Sequence, residues 1–287
     1  MQGQISKKDV AEDIKKRLRN VRKLIVTDLD GTLLNNRSEL PQEYVDLIKE
    51  VLTPEVKLTM ASGRGFPSVK NFSDRFPIDL PVICEGGAVV VDPITNSIIY
   101  ETFIDEPIVR SIAEHLEAKQ YGSNFYLYKG QTLTCYKRPE VHLFTDKEPA
   151  PIINIDLTKI PKEDMTGVRK IAVILDEKYL YDLQNELRNL FGEKVNIMRA
   201  DDGCLDIMPV GVSKGSALQY LLHILDFPPS NVMAIGDNES DATMFDVVGF
   251  SVAMANADDY TKSKASFITT SNEDFGVLHA IKKFLEA

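Results

Sequence analysis

Two aspartates separated by one residue, Asp28 and Asp30, are the first candidates for chemistry in this chain. They follow the apolar run Lys23–Thr27 and precede Gly31. Alternate residues of an extended chain point the same way, so both carboxylates can face one site, and glycine lets the backbone turn away directly after them. Two carboxylates placed in this way suit metal binding or general acid–base chemistry.

A second acidic pair, Asp237 and Asp241, follows another apolar run, Asn231–Ile235. Four carboxylates that converge on one crevice repel one another strongly unless a divalent cation is present. All-oxygen ligation favours Mg²⁺ over zinc, and Mg²⁺ usually binds phosphate oxygens as well. The sequence therefore predicts a Mg²⁺ site that involves both acidic pairs.

Groups that bind an anion accompany these carboxylates. Lys214 stands at the start of an expected helix and supplies a positive point charge. Ser62 and Gly63 follow the apolar run Val56–Met60, where a hydroxyl and a backbone N–H at the beginning of a helix form a natural anion site. Carboxylates, a cation and anion-binding donors together suit phosphoryl transfer, which depends on positioning and charge neutralisation.

The elements that must position these residues are strands alternating with helices. Strands are predicted at 23–27, 56–60, 81–84 and 231–235, with helices at 41–51, 66–75, 240–247 and 275–286 and a short strand at 250–253. This order predicts βαβ units and a parallel, Rossmann-like sheet of the α/β class. Ligands of such sheets bind at the carboxyl ends of the strands, which is where the candidate residues lie.

Between these segments the order of elements changes. Hairpin-like strands at 89–91 and 98–100 are followed by mixed helices and strands as far as residue 208, with a loop at 137–151. We therefore expect residues 1–86 and 210–287 to form a catalytic core, interrupted by an α+β cap domain at 87–209. Residues 1–20 are expected to add an amphipathic N-terminal helix to the core.

Composition excludes several classes of protein. The chain has 287 residues, of which 44% are hydrophobic, and a net charge of −10, so it lacks the broad basic face that nucleic-acid binding requires. It has no signal-peptide core and no apolar run long enough to span a membrane. Three widely spaced cysteines without a CxxC pair are typical of a reducing cytoplasm.

At its polar segments the sequence resembles the haloacid dehalogenase superfamily, and more narrowly the Cof-like phosphatases, which carry a large α/β cap of type IIB. The segments that match are DLDGTLL at 28–34, ASGR at 61–64, VSKGSAL at 212–218 and IGDNESDATMF at 235–245. Their order and spacing agree over nearly the whole chain from about residue 23 to residue 285. A single segment of this kind would be weak support, but four in order make a chance match very improbable.

This resemblance implies a role for each candidate residue. Asp28 would be the nucleophile that forms an aspartyl phosphate, and Asp30 would protonate the leaving group and then deprotonate water. Mg²⁺ would be held by the carboxylates of Asp28 and Asp237 and the backbone carbonyl of Asp30, while Asp241 would act through a metal-bound water or by orienting the lysine. The phosphoryl group would be held by Ser62, Gly63 and Lys214.

Two positions depart from the family pattern. Ser240 stands where asparagine is usual, and Gly86 replaces the asparagine of an Asn-Gly-Ala segment. A hydrogen bond beside the metal and a contact to the substrate or cap are therefore expected to be missing. Arg64 is interpreted as a structural or rim residue, and Asn256 as either a site-lining or a loop-forming residue. The four histidines are not assigned to the chemistry.

The sequence thus predicts a cytoplasmic, Mg²⁺-dependent phosphatase of small phosphorylated metabolites, such as sugar phosphates or phosphorylated cofactors. A phosphomutase of hexose phosphates would use the same nucleophile but return the phosphoryl group to a sugar. A non-catalytic protein that binds phosphorylated metabolites is an alternative of another class, although such a protein has no need for a nucleophile with an acid–base partner. No nucleic-acid or membrane partner is expected, and both a monomer and a homodimer remain open.

Overall fold

The structure, a computed structural model, describes residues 7–119, 124–136, 151–201 and 203–286. The helices are α1 Lys7–Arg17, α2 Gln42–Val51, α3 Phe66–Ser73, α4 Glu106–Lys119, α5 Lys162–Met165, α6 Glu177–Phe191, α7 Lys214–Leu225, α8 Glu239–Phe245, α9 Asp259–Lys264 and α10 Gly276–Glu286. The strands are β1 Lys23–Thr27, β2 Val56–Met60, β3 Val82–Cys84, β4 Val89–Asp92, β5 Ser97–Glu101, β6 Asn124–Lys129, β7 Thr132–Tyr136, β8 Ile152–Ile153, β9 Val168–Ile174, β10 Val195–Asp201, β11 Cys204–Pro209, β12 Val232–Gly236, β13 Phe250–Ala253 and β14 Phe267–Ile268.

A parallel five-stranded sheet in the order β14-β13-β12-β1-β2 forms the centre of the fold. β1 lies between β12 and β2, and its apolar side chains are almost completely buried, as expected of a central parallel strand covered on both faces. Because all five strands run in the same direction, the residues that follow β1, β2 and β12 meet at one edge of the sheet. The predicted α/β class is confirmed.

Two antiparallel arrangements follow in the chain. β3, β4 and β5 form a small sheet, and β3 continues towards the parallel sheet through a bridge between Ala61 and Ile83. A six-stranded sheet has the order β10-β11-β9-β6-β7-β8, in which only the pairing of β7 with β8 is parallel among the described strands. This larger sheet lies within the segment that was expected to form a cap.

The buried apolar side chains divide along the chain in a similar way. One cluster contains residues from Ile14 to Ile99 and from Ala217 to Phe284, and a second contains residues from Ile104 to Ile207. The hairpin β4–β5 therefore packs with the core, because Val89, Val90, Val91 and Ile99 belong to the first cluster. The division of the chain into core and cap stays a prediction, and this packing favours placing its first boundary after β5 rather than at residue 86.

The N-terminal helix packs on the core rather than standing free. Ile14 is fully buried, and Leu18, just after the helix, is nearly so. Arg17 donates to both carboxylate oxygens of Asp92, at 2.8 and 3.0 Å, and to the carbonyl oxygen of Asp79 at 2.7 Å. Because Asp92 ends β4 and is itself fully buried, this pair ties the helix to the hairpin β4–β5.

Most predicted elements agree with the structure to within a few residues, but three short ones were missed. The two-residue strand β8 and the helices α5 and α9 fall in segments that were interpreted as loops or left unassigned, because elements of two to six residues give too little periodicity to recognise. The predicted loop at 137–151 lies outside the described residues except for Pro151. In the described part of the chain, no helix combines the length and apolar character that crossing a membrane requires.

Candidate active site

Asp28 follows the central strand β1 and is buried, with a relative exposure of 3%. Its backbone N–H donates to the carbonyl oxygen of Ile235 on β12, which extends the sheet register to this residue. Its carboxylate oxygen Oδ1 accepts a hydrogen bond from Nζ of Lys214 at 2.7 Å. Burial and the nearby charge of Asp241 raise the pKa of Asp28 to about 7, although Lys214 acts in the opposite direction.

Lys214 is the first residue of α7, and the start of this helix is well defined. Ser213 and Ser216 form a capping box, and a Cβ on Gly215 would lie 2.0 Å from the carbonyl oxygen of Thr243, so the helix approaches α8 closely. Nζ of Lys214 donates to Oδ1 of Asp241 at 2.6 Å as well as to Asp28. Burial alone would lower the pKa of Lys214, but these two carboxylates raise it, so the ammonium stays charged.

Asp241 is fixed by the start of α8. Its Oδ2 accepts the backbone N–H groups of Asp237 at 3.0 Å and of Asn238 at 3.2 Å, while its Oδ1 accepts Lys214. Both carboxylate oxygens are thus engaged by groups of the chain. This arrangement agrees better with the orienting role that the sequence suggested for Asp241 than with direct metal ligation.

Asp237 follows β12 and faces the same edge of the sheet. Its Oδ1 accepts the hydroxyl of Thr32 at 2.9 Å, a partner that the sequence analysis quoted within the DLDGTLL segment but did not assign. Burial, with the charges of Asp241 and Asp28, raises the pKa of Asp237 well above its ordinary value. These neighbouring carboxylates therefore repel one another in the absence of a cation.

A divalent cation fits this group of residues. Carboxylate oxygens of Asp28, Asp237 and Asp241 lie within 4.8 Å of one another, so a single ion can reach them. The donor set is made of oxygen atoms only, which suits Mg²⁺ rather than a thiophilic metal. Burial and the repulsion between neighbouring carboxylates raise the pKa values of Asp28 and Asp237, and a bound cation would favour their charged forms.

Gly31 is required for the approach of the first acidic segment to the second. It has a φ of 72°, and a Cβ at this position would lie 2.3 Å from Oδ2 of Asp237. Its carbonyl oxygen accepts Nδ2 of Asn256 at 2.8 Å. Asn256, for which two interpretations were left open, therefore both borders the crevice and fixes the turn after Asp28.

Asp30 does not join the cluster of the other three carboxylates. Its two oxygens accept Nε and Nη2 of Arg64, each at 2.7 Å, in a bidentate salt bridge. Arg64 is 7% exposed, lies over the ring of Phe72 and also donates to the hydroxyl of Ser68 at 3.1 Å. It was predicted to be a structural or rim residue, and the structure gives it a direct contact with the expected acid–base group.

Ser62 and Gly63 lie in the turn between β2 and α3, beside the end of β1. Ser62 is 1% exposed, and its hydroxyl oxygen accepts the backbone N–H of Arg64 at 3.2 Å. The neighbouring Ala61 N–H donates to the carbonyl oxygen of Thr27, directly before Asp28. The turn is therefore held at the same edge of the sheet as Asp28, as the sequence predicted.

One of the two departures from the family pattern has a physical explanation in the structure. Gly86 has a φ of 67°, and a Cβ there would lie 2.5 Å from Sδ of Met208, so a methionine from β11 takes the space that a side chain would need. Ser240 donates its hydroxyl to Oδ1 of Asn238 at 2.7 Å, within the cap of α8. This bond lies inside the helix cap, so the expected loss of a hydrogen bond beside the metal stays a prediction.

An open crevice of about 820 Å³ leads to the site. It is bordered by Asp30 and Asp237 from the core and by Arg199 from the six-stranded sheet. A second cavity of about 270 Å³ lies between α3 and the β6–β7 hairpin, and its walls combine apolar side chains such as Phe66 with polar ones such as Asn71 and Gln131. Of these two cavities, the larger crevice is the one bordered by the candidate residues Asp30 and Asp237.

The structure thus brings together Asp28, Lys214, Asp237 and Asp241, with Ser62 and Gly63 in the adjoining turn. Sequence analysis missed the contributions of Thr32 and Arg64, although both lie inside the segments that it quoted. Their partners are distant in the chain, so spacing alone could not have identified them.

Comparison with known proteins agrees with this geometry. A family model described as haloacid dehalogenase-like hydrolase matches residues 25–281. The chain is 29% identical to the putative phosphatase YxeH of Bacillus subtilis, over 92% of this chain and 99% of the relative. It is 28% identical to 5-amino-6-(5-phospho-D-ribitylamino)uracil phosphatase YwtE of the same bacterium, with 92% and 98% covered.

The fold is also found among solved structures. The sugar phosphatase BT4131, described as a member of haloacid dehalogenase subclass IIB, superposes with a TM-score of 0.77 at 20% sequence identity. The match covers 92% of this chain and all of that chain. Together with the family match, this likeness confirms the resemblance that was inferred from the four sequence segments.

Proposed function

This chain belongs to the haloacid dehalogenase-like hydrolases, and from that premise we propose that it hydrolyses phosphate monoesters of small metabolites through phosphorylation of Asp28, with Mg²⁺ bound beside it. Phosphatase activity on small phosphorylated metabolites is supported by its relatives. The covalent mechanism and the metal are the parts that we add from the site itself.

The observation that carries the mechanism is the buried arrangement of Asp28, Lys214 and Asp241. Lys214 lies between the two carboxylates, at 2.7 and 2.6 Å, and all three side chains are almost inaccessible to water. A cation held in this way neutralises the nucleophile's negative charge and that of an approaching phosphoryl group. An orienting carboxylate, Asp241, keeps the ammonium beside Asp28 rather than allowing it to turn towards solvent.

In the first step, a carboxylate oxygen of Asp28 forms a bond to phosphorus as the bond from phosphorus to the ester oxygen breaks. The leaving alkoxide takes a proton from Asp30, so the products are an alcohol and an aspartyl phosphate. In the second step, Asp30 accepts a proton from water, whose oxygen attacks phosphorus and releases Asp28. The net reaction consumes one water and yields inorganic phosphate.

Arg64 holds the expected acid–base group by a bidentate contact with both carboxylate oxygens of Asp30. To act as an acid, Asp30 must carry a proton and give up at least part of that contact. We therefore expect the approach of the leaving group to accompany a rearrangement of the Asp30–Arg64 pair.

Mg²⁺, when bound, would supply charge neutralisation for the transferring phosphoryl group. Asp28 and Asp237 would hold it through their carboxylates, together with the backbone carbonyl of Asp30. Thr32 keeps Asp237 in place by its hydrogen bond, and Gly31 allows the two acidic segments to approach. Ser62, Gly63 and Lys214 would bind the oxygens of the phosphoryl group.

The substrates that we propose are sugar phosphates and phosphorylated cofactors or their precursors. One relative is named for 5-amino-6-(5-phospho-D-ribitylamino)uracil, which combines a phosphorylated polyol with a heterocycle, and this supports including that class. The crevice beside Asp30 is bordered by amide and hydroxyl side chains, among them Asn36, Asn256 and Tyr260, which suit a hydroxylated leaving group.

A cytoplasmic setting is part of the proposal. The three cysteines of the chain are buried and form no disulfide, and reduced thiols are typical of a reducing compartment. Small phosphorylated metabolites are the partners that this setting provides.

The proposal is tested by Asp28→Asn. The amide has nearly the same shape as the carboxylate but is a poor nucleophile, so the variant should fold and should lose turnover. Purified wild-type protein and the variant are assayed for phosphate release against a panel of phosphorylated metabolites, with Mg²⁺ and with a chelator. Asp74→Asn, at an exposed carboxylate paired with Lys70, serves as the matched control and should retain full activity.

Measurable Mg²⁺-dependent phosphate release by Asp28→Asn would refute the covalent mechanism. The same panel distinguishes hydrolysis from the two alternative functions. A phosphomutase would isomerise a hexose phosphate without releasing phosphate, and a binding protein would retain the phosphorylated ligand unchanged.

A further inference from the structure

The turn at Ser62–Arg64, which would hold the phosphoryl group, has all three of its carbonyl oxygens hydrogen-bonded. The Gly86 N–H donates to the oxygen of Ser62 at 3.0 Å, and the Glu85 N–H donates to that of Arg64 at 2.9 Å. Both donors belong to the segment directly after β3, in the core. The middle oxygen, that of Gly63, accepts a side chain from the six-stranded sheet instead.

That side chain is Lys170, on the central strand β9 of the six-stranded sheet. Its Nζ lies 2.7 Å from the carbonyl oxygen of Gly63 and 2.6 Å from Oδ2 of Asp206, on the neighbouring strand β11. The two side chains are 1% and 2% exposed, and the ring of Tyr128 lies 4.8 Å from the ammonium. A buried charge pair is costly unless its remaining hydrogen-bonding groups are also satisfied, and the bond to Gly63 satisfies one of them.

The turn is also shaped to receive this pair. A Cβ at Gly63 would lie 3.4 Å from Oδ2 of Asp206 and 3.5 Å from Nζ of Lys170, so the ion pair sits directly against the backbone of the turn. The peptide that joins Gly63 to Arg64 is held at both ends. Its oxygen accepts Lys170, and its N–H donates to the hydroxyl oxygen of Ser62 at 3.2 Å.

The two contacts of the Gly63–Arg64 peptide also orient the hydroxyl of Ser62. Because its oxygen already accepts the N–H of Arg64, the hydroxyl proton is directed away from that bond and is available to an acceptor in the site. Rotation of the Gly63–Arg64 peptide would remove this constraint. Lys170 opposes such a rotation from the outside of the turn.

We propose that Lys170, held by Asp206, is a positioning residue that fixes the Gly63–Arg64 peptide and thereby orients the Ser62 hydroxyl towards the phosphoryl group. The role rests on the proposed function, since it assumes that the turn binds phosphate. It also couples the phosphate site to the position of the six-stranded sheet, because the ammonium reaches the turn only while that sheet is in place.

The test compares Lys170→Met/Asp206→Asn with the wild type. The double change removes the bond to Gly63 without leaving an unpaired charge in the interior. Binding of inorganic phosphate in the presence of Mg²⁺ is measured by isothermal titration calorimetry, and kcat and KM are measured with p-nitrophenyl phosphate and with a sugar phosphate. Phosphate affinity should fall about tenfold, the effect of losing one well-placed hydrogen bond, and kcat/KM should fall by a similar factor for both substrates.

Two further variants separate positioning from general stability. Asp206→Asn alone removes the group that holds Lys170 but leaves the ammonium within reach of Gly63, so phosphate affinity should fall by less than in the double variant. Arg188→Gln breaks a different long-range contact, the salt bridge between Arg188 of α6 and Glu239 of α8 at 3.0 Å. This variant should leave phosphate affinity unchanged. Thermal denaturation of each variant records any loss of stability separately.

Wild-type phosphate affinity in the double variant would overturn the proposal, even if the melting temperature fell. A loss of kcat/KM confined to the sugar phosphate would also overturn it, because Lys170 would then contact the leaving group and not the turn. Failure of the proposed function is distinguishable from both results. In that case the wild type would release no phosphate from any ester, whereas the calorimetric comparison would still report on the turn.

Discussion

At the scale of single residues, the environments of the four aspartates differ although their chemical type is the same. Asp28 is buried beside an ammonium, Asp30 is paired with a guanidinium, and Asp241 is held by backbone N–H groups. Among the described residues, Asp237 has a neutral hydrogen-bond partner, the hydroxyl of Thr32, so its charge is less compensated than that of the other three. These differences fit the proposed roles of Asp28 as nucleophile, Asp30 as acid–base group, Asp241 as orienting residue and Asp237 as a metal ligand beside Asp28.

The acid–base role makes a prediction about leaving groups. Asp30→Asn removes the proton donor of the first step, so kcat/KM for an alkyl phosphate should fall by about 10²–10⁴-fold. p-Nitrophenyl phosphate has a leaving group that needs no protonation, so its kcat/KM should fall much less. The measurement is kcat/KM for both esters in both proteins, because kcat also includes the second step, in which Asp30 acts as the base towards water for either ester.

A stability control and a contradicting outcome complete the test of Asp30→Asn. Asn at position 30 leaves Arg64 without its carboxylate, so thermal denaturation is measured to exclude simple unfolding. Equal losses for the two esters in a folded variant would show that Asp30 does not protonate the leaving group.

At the scale of elements, the strands and long helices could be predicted because they carry a clear pattern. β1 and β12 are largely apolar strands, and each is followed directly by an aspartate. Their parallel pairing brings Asp28 and Asp237 to one edge of the sheet. The start of α7 at Lys214 could be predicted from the serine and glycine that surround it. These features depend on residues that are close in sequence.

Contacts between distant elements could not be predicted in this way. Arg64 reaches Asp30 from another strand end, and Lys170 meets Asp206 only because β9 and β11 are neighbours in their sheet. The replacement at Gly86 could be recognised as a departure, but its cause is a methionine on β11. In each case the physical reason is tertiary packing, which no local pattern records.

The N-terminal helix makes a prediction at this scale. Arg17→Gln removes a salt bridge to a fully buried carboxylate and should lower the free energy of unfolding by about 1–3 kcal/mol. Arg22→Gln is the control, because Arg22 and its partner Glu55 are 78% and 54% exposed, and it should cost about 0–0.5 kcal/mol. Urea denaturation at pH 7 gives both values.

The effect of Arg17→Gln should also depend on pH. Burial acts to raise the pKa of Asp92, but hydrogen bonds from Arg17, Thr95 and the N–H of Ile94 lower it below the ordinary value of 3.8. A carboxylate with a lowered pKa stabilises the fold above its unfolded-state pKa and loses that contribution as the pH falls through the lowered value. The difference between wild type and variant should therefore be full at pH 7 and shrink below pH 4, and an unchanged difference would contradict the role of Asp92.

At the scale of the whole molecule, the net charge of −10 opposes the approach of an anionic substrate. The crevice adds to this effect, since Glu239 and Asp258 border it beside Asp30 and Asp237. The positive charge of Lys214 acts only at short range, because Asp28 and Asp241 pair with it. The acidic surface therefore repels an anionic substrate at long range, whereas Lys214 attracts its phosphoryl group only within the site.

Salt should therefore accelerate capture of the substrate. Raising NaCl from about 10 to 200 mM shortens the range of charge interactions and should increase kcat/KM for a phosphate ester at saturating Mg²⁺. The value of kcat should change little, because the site itself is screened from solvent. A steady fall of kcat/KM with salt would instead indicate that the surface attracts the substrate.

The two ends of the segment that we propose as a cap, near Thr102 and Ser213, lie close together. Thr102 N–H donates to the carbonyl oxygen of Ala88 at 3.1 Å, and a Cβ on the adjacent Gly87 would lie 2.2 Å from the carbonyl oxygen of Ser213. Both ends therefore lie beside the dipeptide Gly87–Ala88. A short glycine–serine linker could join them after excision of the segment between, and the shortened protein would show whether hydrolysis and substrate preference depend on the proposed cap.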